Sequence, residues 1–355
     1  MSQNPTLPPR PVIEPLATIT TDSTGLLCYE PYYYGADLVL EKAFEKLENS
    51  ASGTITSILN TKKLPPSTSE EYLVLLFYIL SQDNRTKRAG EQNDEVTNKI
   101  ARIILQGDKE LSAALQHWKI VGKIPTAVPL SIVSETWFLA FDLEMKIICN
   151  LSQEGFITCD SPVVYYNQYM EKIEGIGCTG LLSQGLQIFF PISPQTMLLL
   201  YDSTVYRVGS NKSDCCEVYD DAEVIKLNEL QWLNALENIY YSNKTSPDSI
   251  QTQAKRFLPH RPTDLAIVEE YGHPTEIGCS LVTMQKSDFR IRLRPSFVQI
   301  KKAKARIPLN KRNLIRNEHI YMAWNQFKEQ VKAGNYQRQD FLKFLAGRPK
   351  TTIMR

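Results

Sequence analysis

The sequence predicts an α+β protein: a mainly helical N-terminal body with a small mixed or antiparallel sheet, followed by a basic C-terminal α+β extension. Three observations carry this. Apolar residues recur every three or four positions through much of 36–148, the period of a helix with one buried face. Short β-branched and aromatic runs bounded by Gly and Pro fill 156–201, which reads as strands and hairpins. Positive charge gathers at the C-terminal end. At ~100–200 residues per domain, 355 residues suggest two units, or one large body with an appendage. Hydrophobic residues at 43% and charged residues at 22% exclude wholesale disorder, and 16 Gly with 20 Pro exclude collagen-like chains.

Residues 1–24 are predicted as an extended lead, 25–244 as the α+β body and 253–355 as a basic C-terminal module. Leu40, Ala43, Phe44 and Leu47 mark a first helix, Gly53 interrupts it, and Ile55, Ile58 and Leu59 continue it or begin another. Pro65-Pro66 stops the chain, and Ser67-x-x-Glu70 reads as a capping box for a strongly apolar helix over 72–80. Further helices are predicted over 94–105, 109–117 and 131–148, the last apolar on most sides. Phe156-Ile-Thr-Cys159 and Val163-Val-Tyr-Tyr166 predict short strands, and 186–190 with 197–201 predict a strand pair across Pro191 and Pro194. Leu227, Leu230, Leu233 and Leu236 predict a helix over 223–241, and a polar linker follows at 242–252. Strands are expected over 277–284, 289–294 and 297–300. In Phe289-Arg-Ile-Arg-Leu-Arg294, strict alternation would place three arginines on one face of a strand. A last amphipathic helix is expected over 319–332, and no internal repeat is present.

The net charge of +1 conceals a division: residues 283–355 hold 18 Lys and Arg against four acids, net +14, which leaves −13 on 1–282. Such asymmetry points either to a polyanionic partner or to a basic part packed against an acidic one. Seven widely spaced cysteines without a C-x-x-C pair encode neither a disulfide framework nor a zinc ribbon, and a reducing, cytoplasmic compartment is the expectation. The first fifteen residues lack the apolar core of a signal peptide. No apolar run approaches the ~20 residues of a membrane span, so no membrane partner is expected.

Asp160, after a predicted strand and two residues before Pro162, is the first candidate for chemistry. An acid in that position suits metal ligation, general-base work or orienting a histidine; equally, aspartate often binds backbone amides in a turn. Glu269-Glu270-Tyr-Gly-His273-Pro-Thr-Glu276 gathers three acids and an imidazole, either a divalent-metal site or a solvated loop. Gly175-Ile-Gly177-Cys-Thr-Gly180 has the letters of a dinucleotide fingerprint but precedes a strand instead of opening a helix. No P-loop, nucleophile elbow or His-Glu-x-x-His occurs. The strongest signal is cationic: Arg290, Arg292, Arg294, Lys301, Lys302, Lys304, Arg306, Lys311, Arg312 and Arg316 could neutralise several phosphates. Phe289, Phe297, Tyr321, Trp324, Tyr336 and Phe341, between those charges, would stack on bases or fill a core.

Four segments together resemble the uncharacterised bacterial family called domain of unknown function 4238. They are Gln82-Asp-Asn-Arg85-Thr86, Phe156-Ile-Thr-Cys-Asp160-Ser-Pro162-Val163, Ile188-Phe-Phe-Pro191-Ile-Ser-Pro194, and Leu227-Asn228 through Asn234-Ala235 to Tyr241-Ser242. Order and spacing agree over about residues 25–242. Family members open with a His-x-Val-Pro segment, whereas Arg10-Pro-Val12-Ile-Glu-Pro15 contains no histidine. The resemblance implies Asp160 as the functional acid, with Arg85 and Asn167 as cleft neighbours, and the missing histidine implies a degenerate or absent catalytic site.

The expected function is therefore a nucleic-acid-binding module, with DNA or RNA as partner. The first alternative is a metal-dependent nuclease or other phosphodiester-acting enzyme using Asp160, with a divalent metal as cofactor. The second is a scaffold subunit that binds a protein partner or its own copies.

Overall fold

The computed structural model describes residues 39–105, 108–173, 177–271, 281–287, 289 and 291–347. It is an α+β fold around a five-stranded mixed sheet of order β3-β4-β5-β1-β7. The strands are β1 (Glu144–Asn150), β3 (Val164–Tyr166), β4 (Gln187–Ser193), β5 (Thr196–Tyr201) and β7 (Cys215–Val218). All neighbours run antiparallel except β1 and β7, which are parallel.

Both faces of the sheet are buried, and alternate side chains serve different layers. On one face Met145, Ile147 and Cys149 of β1, Ile188 and Phe190 of β4, and Leu198 and Leu200 of β5 meet three helices. These are α1 (Val39–Thr61), α2 (Glu70–Asn84) and α5 (Ala127–Thr136), through Ile58, Leu75, Ile79, Leu130 and Val133. On the other face Ile148, Phe189, Met197, Leu199 and Tyr201 meet Val224, Leu227 and Leu230 of α6 (Asp221–Asn234). Between α2 and α5 lie α3 (Lys87–Leu105) and α4 (Lys109–His117).

Double-sided burial explains the clearest difference from the sequence expectation. The run 131–148, expected as one helix, is helical only to Thr136, passes through a 3-10 turn at Trp137–Ala140, and becomes strand β1. A strand covered on both faces is apolar at consecutive positions, so periodicity cannot separate it from a buried helix. Other boundaries moved less. Gly53 lies inside a continuous α1, with open space where a side chain would stand. Ser69 caps α2, accepting the Tyr72 amide at 3.3 Å, in place of the expected Ser67 box. Helix α6 ends at Asn234, and the described residues of the expected 289–294 strand, 289 and 291–294, are irregular chain. The Tyr166 hydroxyl fixes that chain, lying 3.1 Å from the Ile291 carbonyl oxygen and accepting the Leu293 amide at 3.1 Å. Inward Leu293 and outward Arg292 keep the alternation without ladder pairing, while Arg290 lies outside the described residues.

The C-terminal segments are stitched to this body. Strand β11 (Val298–Ile300) pairs antiparallel with β6 (Tyr206–Val208), and Leu293 and Val298 share the α6-side core. The amides of Gln184 and Arg316 bond the Leu314 and Leu182 carbonyls, lacing 314–316 to 182–184. Helix α9 (Glu318–Lys332), capped by Asn317, packs Trp324 and Phe327 against Phe138 and Phe341. The expected base-stacking aromatics are thus largely inside: Trp324, Tyr336 and Phe341 join this cluster, and Phe289 and Phe297 pack on the sheet core.

Candidate functional site

Two helix–loop joints build the region around Asp160. The first is Gln82-Asp-Asn-Arg85-Thr86, where α2 gives way to α3. Arg85 bonds the Gln82 side chain at 3.0 Å, pairs with Glu48 of α1 and lies 5.3 Å from the Phe44 ring centre. Thr86 caps α3: its hydroxyl accepts the Ala89 amide at 3.2 Å, donates to the Asp83 carbonyl at 3.1 Å and accepts from Ser161 at 3.1 Å.

The second joint is the chain through Pro162, which leaves its ladder and needs other partners for its buried carbonyls. Helix α6 supplies them from one face. Asn228, Gln231 and Asn234, three residues apart, are all buried. Asn228 spans the Gly155 carbonyl (3.0 Å) and the Ile157 amide (3.1 Å). Gln231 donates to the Pro162 carbonyl at 3.0 Å, and Asn234 to those of Ser161 (2.6 Å) and Val163 (3.3 Å).

Asp160 completes this frame. One carboxylate oxygen accepts the Leu236 amide at 2.8 Å, and the other accepts those of Glu237 at 2.6 Å and Asn238 at 2.9 Å. It therefore binds the turn between α6 and the short strand β8 (Ile239–Tyr240), whose partner β2 (Thr158–Cys159) leads into Asp160. This is the backbone-binding use of aspartate, directed at a distant turn.

Beside the frame a polar recess of about 70 Å³ is walled by Asp83, Thr86, Arg88, Tyr165, Asn167, Glu171, Asn234 and Lys286, among others. Asn167 is the only member of the Asp160–Arg85–Asn167 set on its wall; its amide is spent on the Cys178 (2.7 Å) and Gln184 (2.9 Å) carbonyls and the Met170 amide (3.1 Å). Gly185 permits that arrangement: its φ is +81°, and a Cβ there would stand 2.7 Å from the Asn167 oxygen. Within the recess the Lys286 ammonium pairs with Asp83 at 2.5 Å and lies 4.8 Å from the Tyr165 ring centre. Burial, and secondarily the charge of Asp83, hold the Tyr165 phenol well above its ordinary pKa. Glu171 takes the Tyr166 hydroxyl at 3.0 Å and Arg294 at 2.6 Å. Asp83, Tyr165, Glu171 and Lys286 were not singled out from the sequence. Only Asp83 offered a signal there, as an acid closing an apolar helix.

The recess shares Asp83, Tyr165 and Lys286 with the wall of a wider groove of about 600 Å³ between α3, α5, residues 177–181 and β10 (Leu281–Lys286).

The expected nucleic-acid-binding cations fall into two groups. Arg294 is held by Glu171, Arg312 lies 4.0 Å from the Tyr169 ring centre and donates to the Tyr169 carbonyl, and Arg316 is buried. The Arg316 guanidinium grips Asp142 at 2.7 and 2.9 Å and donates to the Leu139 carbonyl at 2.9 Å. Arg292, Lys301, Lys302, Arg306 and Lys311 are exposed and Lys304 is half-buried; among the described residues none of the six pairs with a carboxylate.

No three His, Cys, Asp or Glu side chains converge as a metal site among the described residues; of the 269–276 strip, 272–276 lie outside them. Cys149 and Cys215 are free thiols 2.9 Å apart, and burial, then the Cys215 thiol, raises Cys149 to about 12. No described helix is long and apolar enough to cross a membrane.

The family described as "Protein of unknown function (DUF4238)" matches residues 17–245. That span takes in both joints and the five-stranded sheet, and ends before the basic segment. No curated protein and no solved structure matches the chain.

Proposed function

The chain belongs to the DUF4238 family, and from its own residues we propose that it binds polyanions, nucleic acid first among them, through the exposed cations of 292–311. The observation that carries this is the division of the basic set. Cations that neutralise the acidic body are already paired, as Lys286 with Asp83, Arg294 with Glu171, Arg316 with Asp142 and Arg338 with Glu135. Those along 301–311 have no carboxylate partner among the described residues, and no acid occurs in the sequence from 289 to 317. Surface cations without internal counter-ions keep the full gain of displacing phosphate-condensed counter-ions.

The test is a salt titration of binding to single- and double-stranded DNA and RNA, with the full chain and a Lys302→Gln, Arg306→Gln, Lys311→Gln variant. Each duplex phosphate contact contributes about −0.9 to the slope of log affinity against log salt. Three lost contacts should therefore flatten the slope by about 2.7. Absence of binding at low salt, or an unchanged slope in the variant, overturns the proposal.

A further inference from the structure

The groove beside the polar recess has a chemistry of its own, and we infer that it is a binding site for a small amphipathic carboxylate, an apolar chain or ring system ending in one anionic group. Its volume of about 600 Å³ lies within the range that encloses small ligands, ~300–1,000 Å³. The walls are largely aliphatic, from Val96 of α3, Val128, Ile132 and Val133 of α5, Leu181 and Met284 of β10. Three of these remain strongly exposed, Val128 at 51%, Ile132 at 55% and Met284 at 58%. Side chains of that kind gain from an apolar occupant that takes them out of water.

Polarity at the groove's inner end selects the ligand's head. Among the described residues Asp83 and Lys286 are the only charged ones on the groove wall, and both also line the recess. Their exposure is unequal: the Asp83 side chain is 11% exposed and the Lys286 side chain 42%. Of the two, the lysine side chain is the more open to a ligand reaching that end. Lys286 carries three N–H donors; Asp83 takes one, leaving donors for an incoming carboxylate. A single cation already balanced by one acid suits a monoanion, not a polyanion, so this site is distinct from the 301–311 surface.

The experiment uses the full chain, with decanoate, decanol and decylamine displacing anilinonaphthalene sulfonate from the groove by fluorescence. Decanoate should displace the dye saturably and about tenfold more tightly than decanol, with decylamine weakest. Lys286→Met should erase the difference between decanoate and decanol. Ile132→Asp, at a strongly exposed position on α5, should weaken all three. The inference is overturned if decanoate fails to displace the dye, if decylamine binds as well as decanoate, or if Ile132→Asp leaves displacement unchanged.

Discussion

Replacing Asp160 by alanine should weaken the fold, because its carboxylate takes three backbone amides, those of Leu236, Glu237 and Asn238, at 2.6–2.9 Å. A hydrogen bond to a charged group contributes ~1.5–3 kcal/mol when its partner is left unsatisfied in the interior. Glu237 is exposed and Asn238 half-exposed, so water can replace the carboxylate at two of the three amides. Only the buried Leu236 amide is then left without a partner, and Asp160→Ala should cost up to about 3 kcal/mol in all. Asp160→Asn keeps one acceptor oxygen and should cost about half of that. Urea unfolding followed by tryptophan fluorescence reads this directly. With a slope near ~3 kcal/mol per molar urea, the alanine midpoint should fall by about 1 M at unchanged slope. Nucleic-acid affinity of the folded variant should stay at the wild-type level. An alanine variant as stable as wild type, or a stable one that lost a phosphodiester-cleaving activity, would refute the structural assignment and make Asp160 a chemical residue.

Two further perturbations bear on the core. Arg316→Ala leaves Asp142 without its ion-pair partner and takes a guanidinium donor from the Leu139 carbonyl; breaking a buried pair from one side costs ~3–5 kcal/mol, and the paired Arg316→Met, Asp142→Leu variant should recover much of it in a thermal melt. Tyr72 is pushed from 10 up to about 12 by burial and then by the charge of Glu144. The unfolded chain therefore loses this proton first; the contribution is intact below pH 10 and fades towards pH 12. At ~1.4 kcal/mol per unit the loss is on the order of 3 kcal/mol. Urea midpoints across that range should fall with pH, and less so in Tyr72→Phe; equal slopes would sink the account.

Much of the scaffold was readable locally, and the exceptions share a cause. The continuous apolarity of 72–80 behind a proline stop announced α2, and the periodicity of 319–332 announced α9, which buries one stripe. Strand β1 was read as helix because both its faces are covered, so its pattern carries no period. Alternation in 289–294 was real, yet the partner holding that chain is a tyrosine hydroxyl and not a strand. The family-like segments were visible as letters. Their common purpose, amides of α6 satisfying carbonyls around Pro162 and Asp160 binding the turn after α6, appeared only when the helix was laid beside them.

The basic C-terminal region shows the same boundary between local and distant information. By itself the sequence determined that positive charge is concentrated there and that the body is acidic, since charge is a sum over residues and needs no geometry. It also determined which stretches could bury an apolar face. Which cations are spent on the fold was decided only by tertiary structure. Arg294 meets Glu171 across 123 residues, Arg316 meets Asp142 across 174, and Lys286 meets Asp83 across 203. An ion pair forms where two side chains are brought within a few ångströms, and no local pattern records a neighbour supplied by a distant element.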